Sequence, residues 1–271
     1  TDETLVYSFQ NGLGNTEIMA RYIPEEQIVA VVIGWGATNL GPGRFKVTSS
    51  SGNFVIGFEK SVTQKQQSKL HEMKKMLKCW KPTIITDKIK DYRWAKLIVN
   101  SIIAPLGALL GITVGEMFEH VKTRKIMTEL KQEALLLVNK LDISLEKVDG
   151  IDIQNFFYRP QPQDGFFKRI RRPLMSRIIN YIGARRHGNI RSSMLTDLKH
   201  DKKTEIDYLN GVLVGKASEI NLELPLNAFI LKAIKEIEAG KRVVGLHNLV
   251  ELEKFAEISY DKTSQYFGKN R

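Results

Sequence analysis

One change of rhythm constrains this chain more than any other feature. Up to about residue 90 the apolar residues fall in short runs separated by glycine- and proline-containing turns, the habit of strands. Beyond that point they recur at three- and four-residue intervals almost throughout, the habit of helices. The expected fold class is therefore α/β followed by all-α, with a boundary near residue 90, a link over 86–90, and domains of 1–90 and 91–271.

Within the first part, residues 5–9 and 28–33 read as strands. They flank the turn Gln10-Asn11-Gly12-Leu13-Gly14-Asn15 and a short helix over 16–22, a strand–helix–strand succession resembling the last part of a larger sheet. Residues 45–48 and 54–58 read as a hairpin around the turn 49–53, residues 65–78 as an amphipathic helix, and 83–86 as an edge strand. In the second part, helices are expected over 92–110, 115–120, 123–141, 173–182, 204–220 and 226–239, with Gly111 and Gly183 as stops and 159–165 as a loop.

The composition, 42% apolar over 271 residues, suits a globular protein. The longest apolar stretch, 97–113, is interrupted by Asn100, Ser101, Pro105 and two glycines, so no transmembrane helix is expected. The single cysteine, Cys79, cannot form an internal disulfide and is expected to pack within a helix, which suits a cytoplasmic protein. The first residue is Thr, and no basic, apolar and small-residue succession follows it, so neither a signal peptide nor an intact start is expected here. Of the net charge of +11, residues 159–203 contribute +9, twelve Lys or Arg against three acids, and read as a solvated basic surface. Their aromatic residues precede the charge instead of interleaving with it, so nucleic acid is not an expected partner.

Several common chemistries find no support. The run Gly34-Trp35-Gly36-Ala37-Thr38-Asn39 lacks the third glycine and the following helix of a dinucleotide loop. The five histidines have no paired ligand spacing, and no nucleophile elbow occurs, so no metal is expected. The segment Arg93-Trp94-Ala95-Lys96-Leu97-Ile98-Val99-Asn100 is more informative. Lys96 and Asn100 share one helix face among apolar neighbours, and desolvation there lowers an amine's pKa toward the range of a useful proton donor, unless the ammonium reaches a nearby surface. Ser192 or Ser193 suits a helix N-cap, and Thr204 with Asp207 a capping-box-like helix start.

Taken together, Gln10-Asn11-Gly12-Leu13-Gly14-Asn15 with Glu17, Gly41-Pro42-Gly43, Trp94-Ala95-Lys96-Leu97 with Asn100, Ser192-Ser193-Met194-Leu195-Thr196-Asp197, and Thr204-Glu205-Ile206-Asp207-Tyr208-Leu209-Asn210-Gly211 follow the order and spacing of one family. With Pro225 and Asn227, the chain resembles the ketopantoate reductases from about residue 5 to residue 238. The resemblance implies the C-terminal part of a Rossmann-type nucleotide-binding domain, then a helical domain like the C-terminal domain of 6-phosphogluconate dehydrogenase that binds substrate and dimerises. It implies NADPH as cofactor and a small 2-keto acid, 2-dehydropantoate first, as substrate. It also implies Lys96 as general acid, Asn100 and Ser193 as substrate-binding residues, and Asn11 and Glu205 as cofactor-binding residues.

The chain departs from the family pattern in two ways. Ala104 stands where the family usually carries a second asparagine, so one substrate hydrogen bond is expected to be missing. About ninety family residues, with the first strand and its glycine loop, normally precede the position of Gln10. Two alternatives stand beside the enzyme: a non-catalytic interaction or dimerisation module derived from the family, and a basic nucleic-acid-binding protein acting through 159–203.

Overall fold

The computed structural model describes residues 4–47, 52–148, 152–154, 188 and 190–269. The expected helix over 173–182, the stop at Gly183, the loop over 159–165 and most of the basic segment lie outside the described residues. The chain divides into two compact units, residues 1–97 with 145–151 and residues 98–144 with 152–271.

The first unit holds a four-stranded sheet of order β1 (Val6–Ser8), β2 (Ile28–Ile33), β5 (Phe54–Gly57) and β6 (Thr83–Ile85), numbered along the chain. β1 and β2 are parallel, β2 and β5 antiparallel, and β5 and β6 parallel, with Ser8 opposite Ala30 and Val31 opposite Ile56. The sheet is covered on both faces, which is why β2 reads as an unbroken apolar run. Val29 and Val31 of β2 pack with Phe54, Ile56 and Leu70, the last from helix α2 (Gln64–Lys78). Ala30 and Val32 pack on the other side with Val55 and Ile89. Thr63 starts α2 with a complete capping box closed by Gln66. Cys79, at the end of α2, is exposed instead of packed.

The expected hairpin pairs differently. β3 (Ala37–Gly41) and β4 (Arg44–Val47) form a separate two-stranded sheet, while β5 enters the main sheet beside β2. Two physical facts decide this. Gly41 and Gly43, at φ 127° and 70°, bracket Pro42 and permit a tight reversal there. All four β5 residues are buried, whereas all four of β4 are exposed, so only β5 suits a sheet covered on both sides.

The second unit is helical. Helix α3 (Ile89–Leu110) begins in the first unit and ends in the second; α4 (Val114–Glu119) and α5 (Val121–Lys140) follow it. After the undescribed segment come α6 (Ser193–Lys199), α7 (Asn210–Glu219), α8 (Pro225–Glu238) and α9 (Leu249–Lys269). α5 packs against α8 and α9, and the core includes Ile126, Leu130, Leu137, Leu213, Ile230, Ile234 and Leu252. The helix expected over 204–220 is instead a 3₁₀ turn, Ile206–Tyr208, followed by α7. Thr204 does not form a capping box with Asp207: its hydroxyl accepts from the Ile206 N–H and donates to Glu238, while Asp207 pairs with Lys235.

By length and composition alone α3 could cross a membrane, although Asn100, Ser101, Pro105 and Gly107 interrupt its apolar run. Its most apolar 18-residue window is 72% buried within the protein, which makes it a core helix. Gly111, at φ 72°, ends it as expected. The last turn is held from outside: Gly245 N–H donates to the Leu109 carbonyl at 3.0 Å, and the Asn248 amide donates to the same oxygen at 3.2 Å.

Candidate functional site

α3 owes its position to what surrounds most of its circumference. Trp94, Ala95, Leu97, Ile98, Ile102, Leu106 and Leu109 are buried, leaving Lys96, Val99, Asn100, Ile103 and Ala104 half-buried. These five fall at i, i+3, i+4, i+7 and i+8, a single stripe. The lysine and asparagine singled out from sequence therefore lie one turn apart on the face that the core leaves partly open.

Gly107 continues that stripe. A Cβ there would stand 3.6 Å from the Ser192 hydroxyl, so the start of α6 rests against α3 about two turns beyond Asn100. Ser192 is the N-cap, its hydroxyl accepting from the Leu195 N–H at 3.1 Å. This leaves Ser193 as the first helical residue, exposed, with its side chain not spent on capping. Glu205 is exposed on the turn before Ile206. That turn leads into α7, whose first residue, Asn210, is fully buried and donates to the Ser101 carbonyl of α3 at 3.0 Å. Within the second unit, then, α6 and the 205–210 segment both anchor on the stretch of α3 that carries Asn100.

Asn11 and Lys96 belong to the first unit, and Asn100, Ser193 and Glu205 to the second. Asn11 is exposed in the turn after β1, where Gly12 and Gly14 take φ 79° and 96° and the Asn15 amide donates to the Asn11 carbonyl. It thus stands at the carboxyl end of a strand in a parallel pair, the edge at which α/β sheets receive nucleotides. Its exposed side-chain amide can both donate and accept hydrogen bonds at that edge. Among the described residues no glycine turn leads into a long helix in the manner of a pyrophosphate site, and Gly34 and Gly36 lead into β3, a strand the sequence reading did not place there.

One group escaped the sequence reading. Arg93 is 8% exposed, and its guanidinium donates to the Thr16 hydroxyl at 2.7 Å and to the Glu59 carboxylate. Thr16 in turn donates to Glu17 at 2.8 Å. This ties α3 to the turn carrying Asn11 through helix α1 (Asn15–Met19). Burial pushes Arg93 below its ordinary pKa, with Glu17 opposing. Burial raises Glu17, but hydrogen bonds from its own N–H and from Thr16, with the Arg93 charge, hold it below the usual carboxylate value. The available signal was an arginine set directly before a buried tryptophan three residues from Lys96.

Comparison with known proteins decides the lineage. The family model described as "Ketopantoate reductase PanE/ApbA C terminal" matches residues 88–238, and "Ketopantoate reductase PanE/ApbA" matches residues 1–60. The chain belongs to the ketopantoate reductase family. A "2-dehydropantoate 2-reductase" of Pyrococcus abyssi is 30% identical over 240 residues, 88% of this chain and 69% of that protein. Among solved structures, D-mandelate dehydrogenase in a ternary structure with NADH and anilino(oxo)acetate superposes with a TM-score of 0.69 at 20% identity, over 90% of this chain and 70% of that one. A dimeric ketopantoate reductase from Staphylococcus aureus does so with a TM-score of 0.64 at 16% identity, over 89% and 70%. The structural likenesses establish the fold, Rossmann-like then helical. The family matches span all five site residues, Asn11 in one and Lys96, Asn100, Ser193 and Glu205 in the other.

Proposed function

We propose that this ketopantoate reductase family member reduces a 2-keto acid to the 2-hydroxy acid with NADPH, 2-dehydropantoate being the first substrate to test. The observation that carries the reading is the half-buried stripe of α3, which sets an amine and an amide one turn apart in an apolar frame. A bound reduced nicotinamide supplies the hydride to the carbonyl carbon. The Lys96 ammonium gives its proton to the carbonyl oxygen, so that the alkoxide never forms free, and regains a proton from solvent. Asn100 and Ser193 orient the acid through hydrogen bonds to its hydroxyl and carboxylate groups. Asn11 holds the nicotinamide end, and Glu205 the ribose or the lysine.

The P. abyssi relative's name supports the substrate class, and the NADH in the D-mandelate dehydrogenase structure supports a nicotinamide cofactor. NADPH rather than NADH rests on the family resemblance. A domain division near residue 90, a homodimer like the S. aureus protein, and a cytoplasmic setting suited to a chain with one cysteine complete the proposal. The test is a panel of 2-keto acids assayed with NADPH and NADH by loss of absorbance at the reduced nicotinamide band. Turnover of at least one branched 2-keto acid, faster with NADPH, is expected. No oxidation of either cofactor with any member would overturn the reading.

A further inference from the structure

Pro105 stands inside α3, four residues after Ser101. In a regular helix the N–H of residue 105 would donate to the carbonyl of residue 101; proline has no N–H, and its ring crowds that same carbonyl. The Ser101 carbonyl is thereby deprived of its intrahelical donor directly beside Asn100, in the middle of the proposed substrate stripe. Ser101 is buried, at 1% exposure, so an unmatched carbonyl there would cost about 1–3 kcal/mol.

The missing donor comes from another helix. The Asn210 amide donates to the Ser101 carbonyl at 3.0 Å, and to the Asn227 side-chain oxygen at 2.9 Å. The Asn227 amide then donates to Glu133 at 2.7 Å, and the two Glu133 oxygens also accept the Leu226 and Asn227 backbone N–H groups at 2.9 Å. Asn210, Asn227 and Glu133 are each fully buried. A side-chain relay thus runs from the start of α8 and the middle of α5 to one carbonyl of α3, and every member lies in the second unit.

We propose that Asn210 is a positioning residue: it supplies the hydrogen bond that Pro105 withholds from the Ser101 carbonyl, and so sets the local course of α3 that presents Asn100 and Ala104 to the substrate. The catalytic consequence rests on the function proposed above, whereas the pairing of Asn210 with Pro105 does not. A polar side chain buried on α7 is costly in an all-helical core, and its pairing with the one carbonyl that a proline has vacated gives it a reason to be there. The same relay holds the turn that carries Glu205, five residues earlier, in register with α3.

The experiment is a cycle of four proteins: the unsubstituted chain, Asn210→Ala, Pro105→Ala and the double substitution. In Pro105→Ala the alanine N–H can donate to the Ser101 carbonyl, so removing Asn210 should then matter much less. Two readouts are taken on folded protein below the unfolding transition. Hydrogen exchange of the α3 amides around 100–105 should quicken in Asn210→Ala and recover in the double variant, whether or not the protein is an enzyme. With an active 2-keto acid substrate, Asn210→Ala should raise its KM about tenfold, the equivalent of about 1.4 kcal/mol, and leave the KM for NADPH within twofold. Exchange that responds additively to the two substitutions would overturn the pairing. An unchanged keto-acid KM in an active Asn210→Ala protein would overturn the positioning role. An inactive unsubstituted protein would instead defeat the proposed function while the exchange cycle still decides the pairing.

Discussion

Glu133 caps a helix that is not its own, and Glu133→Gln measures what that is worth. Its carboxylate is fully buried and accepts three N–H groups, from the Leu226 backbone, the Asn227 backbone and the Asn227 side chain. Burial pushes Glu133 above its usual value, and the hydrogen bonds from Leu226 and Asn227 oppose this. A glutamine has one accepting oxygen. In its best orientation it keeps the two Asn227 bonds and turns its NH2 toward the Leu226 N–H, leaving that donor unmatched at about 1–3 kcal/mol. The two retained bonds fall from charge-assisted to neutral strength, a further loss of about 1 kcal/mol each. Relief of the buried charge offsets part of this. The net expectation is a loss of roughly 2–4 kcal/mol, or about 5–15 °C in Tm for a unit of this size. Urea unfolding followed by far-ultraviolet circular dichroism reads it as a lower midpoint with unchanged slope. A loss below about 0.5 kcal/mol would refute the reasoning, because it would mean that the carboxyl is already protonated or that the cap is idle.

Other consequences are open to the same measurements. Arg93→Met leaves Glu59 and Thr16 without their shared partner; since Glu59 is partly exposed, a cost of about 2–3 kcal/mol is expected, and a change within 0.5 kcal/mol would count against the link between α1 and α3. Glu17 is held below its ordinary pKa in the folded protein, so its contribution is complete above the unfolded carboxylate value and is lost as pH falls toward the lower folded one. Urea midpoints measured from pH 6 downward should therefore fall more steeply for the unsubstituted protein than for Glu17→Gln; parallel curves would contradict the assignment. Ala104→Asn restores the family asparagine one turn beyond Asn100 on the same stripe, and should lower the KM for 2-dehydropantoate about tenfold relative to 2-keto acids without its hydroxyl. An equal change for all keto acids would show that position 104 does not read that group.

Strand β2 was legible because burial on both faces forces a continuous apolar run, and α3 because its apolar residues outnumber the two polar ones that matter. β5 was given the wrong partner because a local polar turn at 49–53 looks like a hairpin, while burial on both faces is a tertiary property. α9 went unanticipated for a different reason: its buried stripe includes Ser259 and Thr263, the latter donating to the Ser259 carbonyl, so the apolar spacing is broken at the core positions themselves. Lys96 and Asn100 were visible because a charge and an amide stand out within an apolar helix. Asn210 and Glu133 were not, since a buried polar group shows its purpose only when its partner, 109 or 94 residues away, is in place.

The central claim is that Lys96 protonates the reduced carbonyl, and Lys96→Ala tests it most directly, with turnover of the best 2-keto acid and NADPH affinity measured on the same preparation. The account predicts a fall in kcat of at least about 10²-fold with NADPH dissociation within about threefold of the unsubstituted protein. Comparable turnover, or a loss explained wholly by weaker NADPH binding, would contradict it.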